Sequence, residues 1–267
     1  MTYNEDKLAQ ETLADYLEQE LGWESVYAYQ SETFGPEGTL GRASDHEVVL
    51  KRYLGDALVK LNPDLPDEAY KNALRTITDT AGFQTLLQVN HEKYNLIRDG
   101  VQVSYRDKDG NSKKERLRVF DFDTPENNHF LAVREMWVRG PVYRRRPDVI
   151  GFVNGLPLLF VELKRPDISI RKAYENNLAD YKDTIPHLFD FNTFIMLANG
   201  IEAKIGSLSA KFGHYSDWKR LEEQSPGVVQ METLVKGTCT KSNFMDIFEN
   251  FILFDDSGEN LAKIVAR

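Results

Sequence analysis

The sequence predicts an α/β (or α+β) fold in which helices flank a mixed central sheet and a helical portion precedes it. Residues 1–100 show the apolar periodicity of helices, whereas strand-like segments dominate from residue 101 onward. Two short segments, 149–153 and 156–163, are apolar at both parities, which indicates strands buried on both faces. Such strands require helices above and below them, so the sheet must lie inside a layered domain.

Composition narrows the class of protein. The 267 residues are 41% hydrophobic, which is enough for a substantial buried core. We interpret the chain as one domain over 1–267, with 1–100 mainly helical and 101–267 forming the sheet and its helices. A single cysteine, Cys239, excludes an intramolecular disulfide bond. The acidic N-terminus is unlike a signal peptide and no apolar stretch is long enough to cross a bilayer, so we expect a cytoplasmic protein with no membrane partner.

Start and stop signals divide the chain into elements. Ser44, with Glu47 three residues later, predicts a capped helix over 44–61 that Asn62-Pro63 ends. Alternating segments 101–107 and 115–122, joined through an Asp-Gly turn, predict a hairpin. The other predicted helices cover 5–21, 66–80, 84–98, 170–183 and 240–253, and the other predicted strands cover 128–140, 149–153, 156–163, 192–198 and 201–208.

The two doubly apolar segments carry charged residues where they begin and end. Asp148 precedes the first segment, and Glu162 and Lys164 lie at the end of the second. Asn154-Gly155 between them is a strong turn signal, but a two-residue loop places Asp148 and Glu162 on opposite faces of the hairpin. An odd-length loop, such as a type I turn with Gly155 in a G1 bulge, places all three on one face. We predict the odd-length loop, because metal chemistry requires it.

On one face, Asp148, Glu162 and Lys164 would form a hydrolytic site. Two carboxylates offer the hard oxygen ligands that Mg²⁺ takes in small numbers, and Mg²⁺ makes its bound water easier to deprotonate. Lys164 would orient the attacking water or stabilise charge on the attacked phosphate. The alternative is an ordinary ion pair of little energetic value. The acid-x-Lys pattern also begins at Glu5, Asp180, Glu202 and Asp217, but only Glu162 ends a doubly apolar strand whose partner opens with Pro-Asp.

The overall net charge of −9 is unusual for a chain that binds nucleic acid, because Lys and Arg neutralise phosphates. Local charge matters more than the sum, and basic residues cluster around the predicted hairpin. Among them, Arg146 and Arg165 are our candidates for DNA contact or support of the site. We interpret the basic segment 106–118 as ordinary solvated charge.

Three further side chains are secondary candidates. Asn177 and Tyr181 lie four residues apart on the predicted helix 170–183 and share a face, so they could contact DNA or support the site. From the residues alone we favour plain packing for Tyr181. Glu47 could supply a further acid, although we favour a capping role for it. The sequence contains neither a P-loop nor the His and Cys spacing of a zinc site.

The run "RPDVIGFVNGLPLLFVELKRPD" resembles the nuclease core of type I restriction enzyme R subunits, which are members of the PD-(D/E)XK nuclease superfamily. Other segments, including "EVVLKRYLGDALVKLNPDLP", resemble the same subunits, so the resemblance spans nearly the whole chain. It implies a restriction-endonuclease-like core, with Asp148, Glu162 and Lys164 as the nuclease triad and Mg²⁺ as the cofactor. The family's Gln-x-x-x-Tyr motif aligns to Asn177 and Tyr181, with the shorter Asn in place of Gln.

The resemblance also implies partners. Family R subunits carry an ATP-driven translocase after the nuclease domain, and this chain ends about where that motor should begin. We therefore expect a truncated chain, in which ATP acts only through the missing motor domain. The substrate would be double-stranded, unmodified foreign DNA, recognised by separate methylation and specificity subunits. Two alternatives stay open: another PD-(D/E)XK nuclease for repair or junction cleavage, and a catalytically silent nuclease-fold module for DNA binding or docking.

Overall fold

The computed structural model of the protein describes residues 5–80, 82, 84–218, 231–258 and 260–266. The helices are α1 (Glu5–Gln19), α2 (Lys51–Leu61), α3 (Asp67–Thr78), α4 (Leu86–Asp99), α5 (Ile170–Lys172), α6 (Ala179–Thr184), α7 (Met231–Cys239) and α8 (Lys241–Asn250). A π-helical segment, Ala173–Leu178, joins α5 to α6. In this described part of the chain, no helix is both long and apolar enough to cross a membrane.

The strands form one large sheet and three small ribbons. They are β1 (Glu24–Tyr27), β2 (Val101–Arg106), β3 (Ser112–Leu117), β4 (Phe130–Arg134), β5 (Val138–Arg139), β6 (Arg144–Arg145), β7 (Val149–Val153), β8 (Leu156–Leu163), β9 (Phe194–Ala198), β10 (Ala203–Gly206), β11 (Ile252–Asp255) and β12 (Ala262–Val265). The large sheet has the order β1-β4-β7-β8-β9-β10, and the ribbons pair β2 with β3, β5 with β6 and β11 with β12.

The large sheet is mixed, as predicted. β1 runs parallel to β4 and β8 runs parallel to β9, whereas the other neighbouring pairs are antiparallel. A parallel pair needs a long crossover, and the helical stretch from α5 to α6 lies in the connection from β8 to β9. The β7–β8 hairpin therefore occupies the centre of a sheet with helices in its connections.

Both faces of the central hairpin are covered, as its doubly apolar strands require. Every residue of β7 and β8 is buried. Val161 packs in one apolar cluster with Leu13 and Leu17 of α1, and Phe160 packs in a second with Leu178 and Tyr181. Charged groups at the ends of these two strands consequently lie next to buried apolar side chains.

The N-terminal portion contributes a strand to the sheet. β1, which we did not predict, lies beside β4 with Glu24 opposite Leu131. Trp23 precedes it, is buried, and donates a hydrogen bond from Nε1 to the Cys239 carbonyl oxygen at 2.9 Å. A four-residue strand is too short to show alternation, and its partner lies about a hundred residues away. Local patterning therefore could not reveal it.

The predicted helix over 44–61 begins later than expected, at Lys51. Ser44 Oγ does not cap it, and instead accepts a hydrogen bond from the His46 backbone N–H at 3.3 Å. Leu50 is fully buried, and its N–H donates to the Gly155 carbonyl oxygen at 2.9 Å, in the turn of the central hairpin. This tertiary contact holds the chain outside the helix and overrides the capping signal.

Most other element predictions are confirmed, with shifts at the boundaries. The helices over 5–21, 66–80, 84–98 and 170–183 correspond to α1, α3, α4 and the stretch from α5 to α6. The predicted strand over 128–140 is divided into β4 and β5, with Glu135 between them at a φ of 51°. The predicted final helix over 240–253 ends at Asn250, where β11 follows, and neither α7 nor β12 was predicted.

Candidate active site

The central hairpin turns through two residues, so the predicted odd-length loop is wrong. Asn154 and Gly155 both have positive φ, 48° and 78°, which is the conformation of a type I′ turn. Glycine is required here because a Cβ at Gly155 would lie 2.5 Å from the Leu50 carbonyl oxygen. The register of this turn alone would place Asp148 and Glu162 on opposite faces.

A β-bulge in β8 returns both acids to one face. The pairing of β7 with β8 shifts by one residue between Gly151 and Phe152, and Leu158 is the extra residue in β8. Beyond the bulge, the register brings Asp148 opposite Glu162 on the same face. The arrangement that we expected from the turn is therefore produced by a bulge.

The bulge lies beside Gly151 and the buried Trp23. Leu158 and Leu159, although adjacent in β8, both join the apolar cluster that contains Trp23. Gly151 on β7 leaves space for them, since a Cβ there would lie 2.8 Å from Leu159 Cβ and 3.0 Å from the Trp23 ring. The central hairpin thus accommodates one extra apolar residue on this face.

The carboxylate of Asp148 is held from two sides. Gln10 Nε2 on α1 donates a hydrogen bond to Oδ1 at 2.6 Å, and the Leu163 backbone N–H donates to Oδ2 at 2.7 Å. We did not predict Gln10. It lies on the same face of α1 as the buried Leu13 and Leu17, and a polar residue on a buried helical stripe is the signal that could have identified it.

Glu162 is the most buried charged member of the site, with 2% of its surface exposed. Lys164 Nζ donates to Oε1 at 3.1 Å, while Oε2 is buried without a hydrogen-bond partner. Burial, and after it the charge of Asp148, holds the pKa of Glu162 well above its ordinary value, against the opposing effect of Lys164. Glu162 Oε2 is therefore an unsatisfied acceptor beside a second carboxylate.

The donor set formed by Asp148 and Glu162 fits Mg²⁺. Within the described residues, no group of three or more His, Cys, Asp or Glu side chains is arranged to hold a metal, unlike a closed zinc site. Mg²⁺ needs fewer protein ligands, because it keeps several waters and also binds substrate phosphates. A cation here would satisfy Glu162 Oε2, whose burial without a partner is otherwise unfavourable.

Tyr181 and Asn177 lie beside the acids, on the helical stretch from α5 to α6. Tyr181 donates a long hydrogen bond, 3.5 Å, to the Arg146 carbonyl oxygen, and its ring meets Phe160 edge-on with centroids 5.9 Å apart. Burial, followed by the charge of Glu162, raises the pKa of Tyr181, while a hydrogen bond with Asn177 opposes the shift. In this arrangement Tyr181 packs against the site and ties the helix to the segment before Asp148.

Arg146 is positioned by Glu135, an acid that we did not predict to lie near the site. Its Nη1 lies 3.1 Å from Glu135 Oε2, and its guanidinium stacks over the Tyr29 ring at 4.1 Å. The Tyr27 hydroxyl also donates to Glu135 Oε2, and the Glu135 backbone N–H donates to the Asp148 carbonyl oxygen at 2.9 Å. Glu135 thus joins Arg146 to the strand end that carries Asp148.

The last two candidates make local contacts. Arg165 Nη2 lies 3.4 Å from Asp167 Oδ2, with both side chains largely exposed. Glu47 accepts hydrogen bonds from the Ala43 backbone N–H and from Lys51 Nζ, each at 2.7 Å. Glu47 therefore stabilises the turn before α2, and the predicted capping role of Glu47 with Ser44 at the start of the helix is wrong.

Comparison with known proteins identifies the family of the chain. The sequence profile described as "Type I restriction enzyme R protein N terminus" matches residues 2–214. The chain is 35% identical, over 98% of its length, to the type I restriction enzyme HindI endonuclease subunit of Haemophilus influenzae, and covers 25% of that protein. It is 24% identical, over 80% of its length, to the putative type I restriction enzyme MjaIXP endonuclease subunit of Methanocaldococcus jannaschii, of which it covers 23%.

A third relative extends the comparison to another genus. The chain is 26% identical, over 76% of its length, to the type I restriction enzyme SauCOLORF180P endonuclease subunit of Staphylococcus aureus, and covers 19% of it. The chain thus spans a quarter or less of these relatives. With a profile matching most of the chain and a relative 35% identical over nearly all of it, the chain belongs to the family of type I restriction enzyme R protein N termini.

Proposed function

We propose that this chain is the Mg²⁺-dependent endonuclease domain of a type I restriction enzyme R subunit, hydrolysing phosphodiester bonds in unmodified foreign double-stranded DNA. One observation carries the proposal: the buried, unpartnered Oε2 of Glu162 lies on the same face of the central hairpin as Asp148. Family membership supports it, because the relatives are named as type I restriction enzyme endonuclease subunits.

Each residue of the triad would have its own role. Asp148 and Glu162 would hold Mg²⁺, which supplies an activated water and neutralises charge on the phosphate. Gln10 and the Leu163 N–H already orient the Asp148 carboxylate, so little reorganisation would accompany binding. Lys164 Nζ, 3.1 Å from Glu162 Oε1, would orient the attacking water or stabilise charge that develops on the phosphate.

Residues around the triad would support it or contact DNA. Tyr181 and Asn177 would keep the helical stretch packed against Glu162, and Arg146 would present a cation held by Glu135. Arg165 is exposed directly after Lys164 and would contact a DNA phosphate.

We further propose that residues 1–267 form one endonuclease domain, because β1 from the helical portion pairs within the central sheet and α1 contacts Asp148. Within a type I restriction enzyme R subunit, this domain would act in the cytoplasm beside an ATP-driven motor. Methylation and specificity subunits would select the DNA.

Calorimetric titration with Mg²⁺, beside a plasmid-nicking assay, tests the proposal on the wild-type chain, Asp148→Ala and Asp217→Ala. Asp217 is the matched control, because it also begins an acid-x-Lys pattern but pairs with Lys204. We expect Mg²⁺ binding and nicking to disappear only in Asp148→Ala. A wild-type chain that binds no Mg²⁺, even with DNA present, contradicts the metal site and favours a silent docking module. Binding without nicking would support the metal site and make cleavage dependent on the motor or partner subunits.

A further inference from the structure

We propose that the β5–β6 hairpin, residues 138–145, is a DNA-binding element that holds the duplex beside the scissile phosphate. This inference rests on the proposed function, which makes duplex DNA the substrate. The tip of the hairpin is a tight turn over 140–143, closed by a hydrogen bond from the Gly140 N–H to the Tyr143 carbonyl oxygen at 2.8 Å.

The tip exposes two adjacent apolar side chains. Val142 is 80% exposed and Tyr143 is 52% exposed. Single exposed apolar residues are common, but two together at the tip of a hairpin, next to several arginines, form a patch of the kind that marks interaction sites. Proteins that engage DNA grooves use apolar side chains against the thymine methyl group or as wedges between base steps.

Three arginines surround the tip and leave it with net positive charge. Arg139 and Arg144 share one carboxylate, Asp45, at 3.1 and 2.7 Å, while Arg145 pairs with Asp180. Three cations are therefore balanced by two anions. A guanidinium has five N–H donors, so each arginine held by one carboxylate retains donors for a phosphate.

Ring stacking fixes two of these arginines in place. The Arg144 guanidinium lies 4.3 Å from the Trp137 ring centroid, and the Arg145 guanidinium lies 4.8 Å from that of Tyr143. Stacked, ion-paired arginines have lost much of their rotamer freedom before a ligand arrives. Binding a phosphate consequently costs less entropy than it would for a free arginine.

The backbone of the hairpin is also anchored. The Arg139 N–H donates to the Asp45 carbonyl oxygen at 2.8 Å. Gly140 packs directly on the end of α6, since a Cβ there would lie 1.9 Å from the Thr184 carbonyl oxygen. The exposed tip is therefore attached to an anchored base.

The chain from the hairpin leads straight to the candidate active site. Only Arg146 and Pro147 separate Arg145 from Asp148. Three residues reach at most about 10 Å, and successive phosphates on one DNA strand lie about 3.4 Å apart along the helix axis. A duplex with a phosphate at Asp148 would therefore bring phosphates a few base pairs away within reach of the hairpin.

The test measures binding of a short fluorescent duplex by anisotropy, with metal chelated to prevent cleavage. Val142→Asp is compared with Val59→Asp, a control on α2 where Val59 is 50% exposed, so that both variants add one negative charge at an exposed valine. Tyr143→Ala removes the aromatic contact without adding charge. We expect about tenfold weaker binding for Val142→Asp and for Tyr143→Ala, the loss that removal of one well-packed interface side chain causes, and under twofold for Val59→Asp.

Equal affinities of Val142→Asp and Val59→Asp overturn the proposal, as does a wild-type chain that binds no duplex or prefers single-stranded DNA. Thermal melting verifies that each variant is folded, and Tyr143→Ala replaces Val142→Asp if the latter melts early. Mg²⁺-dependent nicking, measured separately, distinguishes the two proposals. Selective loss of DNA binding in Val142→Asp, when the wild-type chain neither binds Mg²⁺ nor nicks, supports the hairpin and contradicts the nuclease, whereas Mg²⁺-dependent nicking with no effect at Val142 does the reverse.

Discussion

The same tripeptide pattern, Glu-x-Lys, occurs at two places in the central sheet with different surroundings. Glu162 and Lys164 lie at the end of β8 in the middle of the sheet, whereas Glu202 and Lys204 lie at the edge strand β10. Lys164 binds Glu162 within the pattern, at 3.1 Å, but Lys204 turns away and pairs with Asp217 at 2.5 Å.

The difference shows that burial and an opposing acid, and not the spacing itself, create the candidate site. At β8, the bulge brings Asp148 opposite Glu162, and the apolar strands on either side exclude water. Charges interact strongly in such surroundings because solvent does not screen them. At β10, Lys204 and Asp217 are partly exposed, and such pairs contribute little to stability.

The largest expected effect is a difference in nicking activity between two variants, in which the glutamate of one Glu-x-Lys pattern is replaced by glutamine. We expect Glu162→Gln to reduce Mg²⁺-dependent plasmid nicking by about 10² to 10³-fold, the usual loss when one preorganised electrostatic group is removed. Glu202→Gln should change the nicking rate by less than twofold. Equal losses of nicking activity in Glu162→Gln and Glu202→Gln would contradict the conclusion that the position of the pattern in the sheet creates the site.

A smaller effect is expected from the glycine that accommodates the bulge. Gly151→Ala places a methyl group against Leu159 and the Trp23 ring, and overpacking of this kind costs about 1–3 kcal/mol of the free energy of unfolding. Gly213→Ala is the control, since nothing lies within 4 Å of a Cβ there. Denaturant unfolding measures both. If Gly151→Ala is as stable as the wild type, tight packing does not position the bulge.

The smallest expected effect is a pH-dependent gain in the stability of Glu162→Gln relative to the wild type. Because burial and Asp148 raise the pKa of Glu162 in the folded state, the folded chain binds a proton more tightly than the unfolded chain does. Stability is therefore lost as pH rises from the unfolded pKa of a glutamate through the folded pKa. Glu162→Gln removes this loss, so it should exceed the wild type by about 1 kcal/mol at pH 8 and match it near pH 4.

Urea unfolding across that pH range measures the difference, with Glu202→Gln expected to follow the wild type throughout. Saturating Mg²⁺ should then stabilise the wild type but not Glu162→Gln, because only the former retains both carboxylates. A stability gap that does not change with pH would show that Glu162 is not desolvated as its burial indicates.

Much of the central hairpin could be predicted from sequence. Burial at both parities identified both strands, and Asn154-Gly155 identified the turn between them. We predicted that an extra residue in the turn sets the register of the hairpin. The extra residue is Leu158, within β8. An apolar residue inside an apolar strand carries no local signal of a bulge, since nothing around it in sequence distinguishes it from its neighbours.

Predictions for other parts of the chain were wrong or missing because they depend on tertiary contacts. Ser44 and Glu47 make the hydrogen bonds of a local turn, but burial of Leu50 against Gly155 delays the helix to Lys51. Gln10 and Glu135 were missed because Asp148 lies 138 residues from the first and Tyr27 lies 108 residues from the second. A local pattern contains no information about such partners.

By itself, the sequence determined the hairpin strands, their turn, the three charged residues at their ends and the family, because each depends on residues close together in the chain. Only the tertiary structure decided that Asp148 and Glu162 share a face, that Gln10 holds the first acid and that Oε2 of the second is left without a partner. The physical reason is that one bulged residue reverses every side chain beyond it, and that residue lies where Gly151 leaves room for Leu159 and the Trp23 ring.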